Sequence, residues 1–153
     1  MEGTKLDLAS VRRAVEEAVL EVLETMCFEF PVAEPEDGGE AGGEAVEAAA
    51  RFEGTLRGEL RVALTGGAPQ RLAAAFLGLE EREVGAKEEL LMASELANMI
   101  CGAALSRLEP HGRLRIVPPQ AGRGPARCEG RCWLRFPLEL GEVAVTLRCE
   151  EIS

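Results

Sequence analysis

Residues 46–64, VEAAARFEGTLRGELRVAL, place Val46, Ala48, Ala50 and Phe52 at every second position, and Leu60, Val62 and Leu64 repeat the pattern beyond a glycine-bounded break. A period of two puts alternate side chains on one side of a strand, so the stretch predicts two strands joined near GTLRG as a hairpin. Upstream the period is different. Val11, Ala14, Val15, Ala18, Val19, Val22, Leu23 and Met26 recur at helical spacing, with Arg12, Arg13, Glu16, Glu17 and Glu21 opposite, which predicts an amphipathic helix over 8–27. Between the two, EPEDGGEAGGEAVE mixes Glu, Asp and Gly with almost no apolar content and cannot offset its ordering entropy. Residues 34–44 are therefore expected to form a mobile acidic, glycine-rich loop.

Downstream, Pro69 stands where a first helical turn tolerates proline and Gly78 where helices stop, so 68–77 is expected to be a short helix. Residues 86–108 form the longest helical pattern. RLRIVPP, CWLRFPLEL and GEVAVTLRC alternate again, the last two joined across Glu139 to Gly141, which brings the strands read directly to five. Leu134, Phe136, Val143, Val145 and Leu147 share one face, and Arg61, Arg115, Arg135 and Arg148 fall on the other. Those arginines would suit a binding stripe or, with Glu59, Glu139 and Glu142 interleaved, a solvated sheet face. The expected architecture is α+β: one domain over 1–153, a largely antiparallel sheet of about five or six strands packed against a long helix and an N-terminal helix.

The chain has 153 residues, 46% of them hydrophobic, enough for one core, and a formal net charge of -10. An acidic balance argues against nucleic acid and anionic membrane surfaces, which require clustered Lys and Arg. No apolar run approaches the ~20 residues of a membrane span, and MEGTKLDLAS lacks the basic-then-apolar order of a signal peptide; a cytoplasmic location is expected. The five cysteines, Cys27, Cys101, Cys128, Cys132 and Cys149, form no paired CxxC pattern, and His111 is the single histidine. Cys128 and Cys132 would serve either as metal ligands or as buried reduced thiols; His111, between Pro110 and Gly112, as a turn residue or a base.

Within helix 86–108, Leu90, Ala93, Leu96, Ala97, Ile100, Ala103, Ala104 and Leu108 make a wide apolar stripe. Glu95 and Asn98 lie together on an exposed edge, with Leu91 and Gly102 extending it in either direction. Surface helices need polar residues, and the pair could be no more than that. Asn is a mediocre helix former and glycine a poor one, so both on one edge invite a functional explanation.

ELANMICGAALSRLEPHGRLRIVPP (95–119) resembles the E-x-x-N helix and following Pro-containing strand of the CheC/CheX/FliY phosphatase family, and most of all its CheX-like members. VLETMCF resembles the family's opening helix, FEGTLRGELRVAL its F-x-G…G hairpin and LAAAFLG its short second helix, so the resemblance runs from about residue 8 to 148. A single E-x-x-N helix is present, as in CheX-like members. The resemblance implies a phosphatase acting on the phosphoaspartate of a CheY-like response regulator. Asn98 would orient the attacking water, Glu95 would dock onto the regulator's active-site lysine, and Leu91 and Gly102 would complete the partner-binding footprint. It implies no cofactor of the chain's own, with Mg2+ carried by the regulator, and a homodimer paired through sheet edges. Leu91 departs from the Asp or Ser usual there. Two alternatives stand beside this: a non-catalytic CheC-like module that docks on a response regulator or flagellar switch component, and a cysteine enzyme using Cys101.

Overall fold

The computed structural model describes residues 7–38, 43–125 and 132–150. Helix α1 (Leu8–Cys27) is followed by β1 (Glu36–Asp37), β2 (Glu44–Gly54), β3 (Gly58–Gly66), α2 (Ala68–Leu77), a 3-10 turn (Glu81–Glu83), α3 (Ala86–Leu108), β4 (Leu114–Pro125), β5 (Cys132–Leu138) and β6 (Gly141–Cys149). All the strands pair antiparallel in one sheet of order β1-β5-β6-β3-β2-β4. The three helices read from the sequence form over the expected residues.

The alternating residues of β2, β3, β5 and β6 join the inner stripes of all three helices in one core. Val15, Leu23, Phe52, Leu60, Ile100 and Phe136 are among its fully buried members. Local chemistry sets the helix ends. Asp7 accepts hydrogen bonds from the Ala9 N–H at 3.1 Å and the Ser10 hydroxyl at 2.6 Å, capping α1. At the start of α3, the Glu88 carboxylate accepts from the Gly85 N–H at 2.8 Å.

The β2–β3 hairpin depends on two glycines. A Cβ on Gly54, whose φ is +135°, would lie 2.0 Å from the Arg113 carbonyl oxygen, and one on Gly58 would lie 2.0 Å from that of Arg148 and 2.8 Å from the Phe52 ring. Only glycine permits both backbone approaches.

Two strand expectations need correction. Residues 34–44 are not wholly loop: Glu36 and Asp37 form β1 opposite Arg135 and Leu134, and Glu44 already belongs to β2. Ion pairs supply what apolar content lacks. Arg135 reaches Glu36 at 2.7 Å and the Gly38 carbonyl at 2.6 Å, and Arg12 of α1 reaches Asp37 at 2.6 Å. Residues 39–42 lie outside the described part. β4 also continues past Pro119, because the register against β2 shifts between Ala49↔Gln120 and Arg51↔Val117, placing Pro118 and Pro119 at a bulge of an edge strand.

The helix-free sheet face carries a ladder of ion pairs rather than a row of free arginines. Arg61 pairs with Glu47 and Glu59, Arg135 with Glu36 and Glu142, Arg148 with Glu59, and Arg115 with Glu53. Ala45, Ala63 and Ala144 are buried beneath these long side chains. That is the solvated, charge-balanced face the interleaved glutamates imply.

Candidate functional site

α3 lies over β2 and β4 and packs against α1 and α2. Met92, Ala93, Leu96, Ala97, Ile100, Cys101, Ala104 and Leu105 are buried, so its rotation about its own axis is set by the core. Ion pairs brace both ends: Arg107 with Glu17 and Glu21 of α1, and Glu89 with Arg123 of β4. What faces outward is the remaining edge. Leu91 is 50% exposed, Glu95 and Asn98 are exposed, and Gly102 is partly so. Helical spacing brings these four residues onto one ridge.

Neither Glu95 nor Asn98 has a hydrogen-bond or ion-pair partner among the described residues. Both are thus free to meet an outside group. Gly102 is instructive for a different reason. A Cβ there would meet Ile116 Cδ1 at 3.8 Å, an ordinary contact, so nothing among the described residues demands glycine. A helix-interior glycine costs about 1 kcal/mol relative to alanine, and no packing among the described residues offsets it. Close approach of another molecule would.

The cysteine alternative fails on burial. Cys101 is fully buried and desolvation pushes its pKa up to about 12, so a thiolate nucleophile is not formed near neutral pH. Cys27 is pushed to about 11 by burial and by the neighbouring Glu29 charge. His111 is exposed in the turn after α3, where the Gly112 N–H donates to the Glu109 carbonyl at 3.0 Å. Cys128 lies outside the described residues, as does the side chain of Cys132, and with them the choice between metal ligands and buried thiols. Among the described residues no group of three or more His, Cys, Asp or Glu could hold a metal ion. Among the described residues no helix is long and apolar enough to cross a membrane.

The site is a ridge rather than a pocket. A depression of about 830 Å³ is lined instead by Arg51, Phe52, Arg57, Val117, Arg148 and Cys149, away from Glu95 and Asn98. A protruding carboxylate and amide suit insertion into a partner's own active site; they do not enclose a small molecule. Sequence reasoning found these residues but passed over Phe28, Phe30 and Val32, which are among the most exposed large apolar side chains described.

The family model of the chemotaxis phosphatase CheX matches residues 46–127, a span that contains all of α3. The structure is similar to chemotaxis protein CheX from Vibrio vulnificus, with TM-score 0.75 and 19% identity over 97% of this chain and 100% of that one. It is also similar to a putative chemotaxis protein from Desulfovibrio vulgaris Hildenborough, with TM-score 0.73 and 21% identity over 92% and 96% of the two chains. A third similar structure is the CheX-CheY-BeF3-Mg2+ complex from Borrelia burgdorferi, with TM-score 0.68 and 16% identity over 94% and 97%. No curated protein matches the sequence.

Proposed function

Since the chain belongs to the family of the chemotaxis phosphatase CheX, we propose that it hydrolyses the phosphoaspartate of a CheY-like response regulator. Asn98 orients the attacking water and Glu95 docks onto the regulator's active-site lysine. The observation that carries this is that Glu95 and Asn98, without a partner among the described residues, stand on the exposed ridge of a helix whose rotation is set by its buried side. The Borrelia burgdorferi complex, in which a similar fold is bound to CheY, supports the choice of partner.

An acyl phosphate is already activated, and its hydrolysis needs chiefly a water held in line with the bond that breaks. Water oxygen attacks phosphorus, the bond to the aspartate carboxylate breaks, and inorganic phosphate is released. A neutral amide suits this chemistry, because the Asn98 carbonyl oxygen accepts a hydrogen bond from the water and orients it without taking a proton, and the water's protons leave with the phosphate. Glu95, a full negative charge on the same ridge, fixes the approach through a charge-assisted hydrogen bond to the lysine. Mg2+ is carried by the regulator. Leu91 and Gly102 form the apolar and flat parts of the footprint.

A second reading rests on Leu91, an exposed apolar residue where the family usually has Asp or Ser: a non-catalytic module that docks on a regulator or flagellar switch component. Phosphoaspartate lifetime separates the two. Catalytic amounts of this protein should shorten the lifetime on a CheY-like regulator that it binds, and Asn98→Ala should abolish the effect; binding without acceleration would establish the docking module.

The same reading includes a homodimer through sheet edges. β1 is two residues long and flanked by Pro35, whereas β4 offers twelve residues at the opposite edge, so β4 is the edge proposed to pair. Sedimentation that shows only monomer at micromolar concentration would refute it.

A further inference from the structure

After α1, residues 28–32 run as a strap toward β1. Phe28, Phe30 and Val32 are 75%, 64% and 64% exposed, whereas Glu29 is only 7% exposed. Two of the protein's five phenylalanines therefore face solvent in a row. Contiguous apolar exposure of this kind marks an interaction site more often than chance.

The strap is held in this outward arrangement. Phe28 adopts the left-handed conformation, φ 54° and ψ 39°, which a Cβ disfavours and which glycine would occupy freely. The Glu29 N–H donates to the Leu23 carbonyl at 3.0 Å, and the Val32 N–H donates to the Pro137 carbonyl at 2.9 Å. Arg71 of α2 donates from Nε to the Glu29 carboxylate at 3.0 Å, fixing the inward residue between the two outward rings. Pro31 and Pro35 make this a poor edge for strand addition, so side chains rather than backbone groups are what the strap offers.

Its surroundings are acidic. The Arg71 pKa is raised first by its hydrogen bond to Glu29, then by that residue's charge, with further contributions from Glu139 and Glu81. The charges of Glu29, Glu139 and Glu81 thus act on one guanidinium, with Glu29 in direct contact. Glu139 adjoins the exposed Leu140, and exposed Glu24 and Glu34 bracket the strap in sequence. The location also differs from the phosphatase ridge: the strap borders β5, while α3 lies over β2 and β4 toward the other edge of the sheet.

We propose that Phe28, Phe30 and Val32 form a docking surface for a protein segment whose apolar residues are flanked by lysine or arginine. Charge complementarity selects that occupant, because a second copy would set one acidic rim against another. The aromatic rings supply area at low entropic cost and the carboxylates supply orientation.

The test uses a matched pair of labelled amphipathic peptides with the same apolar face, one with lysines and one with glutamates on the polar face. Anisotropy titrations would employ the full chain, a Phe28→Gly/Phe30→Ser variant and Phe30→Ser alone. Glycine suits the left-handed position, and both variants keep every charge, so non-specific attraction survives in them. The lysine peptide is expected to bind wild type about tenfold more tightly than its glutamate twin, and to lose about tenfold in affinity against either variant. Regulator dephosphorylation by the variants should remain at the wild-type level. Equal binding of the two peptides, no binding of the lysine peptide, or unchanged affinity in both variants would overturn the proposal. Self-association of wild type that Phe30→Ser abolishes would also overturn it, assigning the strap to a second copy.

Discussion

The Arg71 guanidinium stands 3.0 Å from the carboxylate of Glu29, which is buried between two solvent-facing phenylalanines. Removing the cation would leave a carboxylate with little access to water and no partner of opposite charge among the described residues. Arg71→Ala should lower the melting temperature, and Arg71→Ala/Glu29→Leu should restore much of it. A double variant no more stable than Arg71→Ala would show that the pair does not anchor the strap.

Glu95 and Asn98 are assigned different roles, and kinetics can separate them. Asn98→Ala should reduce kcat for regulator dephosphorylation on the order of 100-fold with little change in KM, as loss of a group that acts in the transition state does. Glu95→Gln should act mainly through KM, since it weakens docking. The reverse split would exchange the two roles.

Gly102→Ala should stabilise the protein by about 1 kcal/mol, because alanine is the better helix former and the added methyl meets only an ordinary contact with Ile116. The same change should slow dephosphorylation by obstructing the ridge. A thermal melt and a phosphoaspartate lifetime measured on one preparation check both. Gain in stability with unchanged activity would remove Gly102 from the footprint.

The Asp7 cap should make stability depend on pH. Its carboxyl is held below the ordinary value, first by the Ser10 hydroxyl and then by the Ala9 N–H. A depressed folded-state pKa contributes stability that is present above the unfolded carboxylate pKa and lost as pH falls through the lower folded value. Wild type should therefore melt above Asp7→Ala at neutral pH, and the gap should narrow across the acidic range. A gap that widened on acidification would contradict the assignment.

The candidate site was legible because a helix makes it a local matter. Leu91, Glu95, Asn98 and Gly102 recur at spacings of three and four, so helix geometry alone places them on one edge, whatever the helix packs against. β1 was not legible, because Glu36 and Asp37 look like solvated loop until Arg135 and Arg12, distant in the chain, are brought beside them. The Phe28 strap was missed for a related reason. Phe-Glu-Phe-Pro-Val is too short to show a period of its own. Glu29 is the buried residue there, and its partner Arg71 lies 42 residues along the chain.

The sequence by itself determined the three helices, five of the six strands, the α+β class and the ridge bearing Glu95 and Asn98. Each is encoded in a period that repeats over neighbouring residues, and hydrophobic burial acts on that period directly. Only the tertiary structure decided the strand order, the bulge that admits Pro118 and Pro119, the burial of the Cys101 thiol and the outward turn of Phe28 and Phe30. Those outcomes depend on which distant residues become neighbours. A charge far along the chain, once it is adjacent, can outweigh a local preference worth about 1 kcal/mol or less per residue.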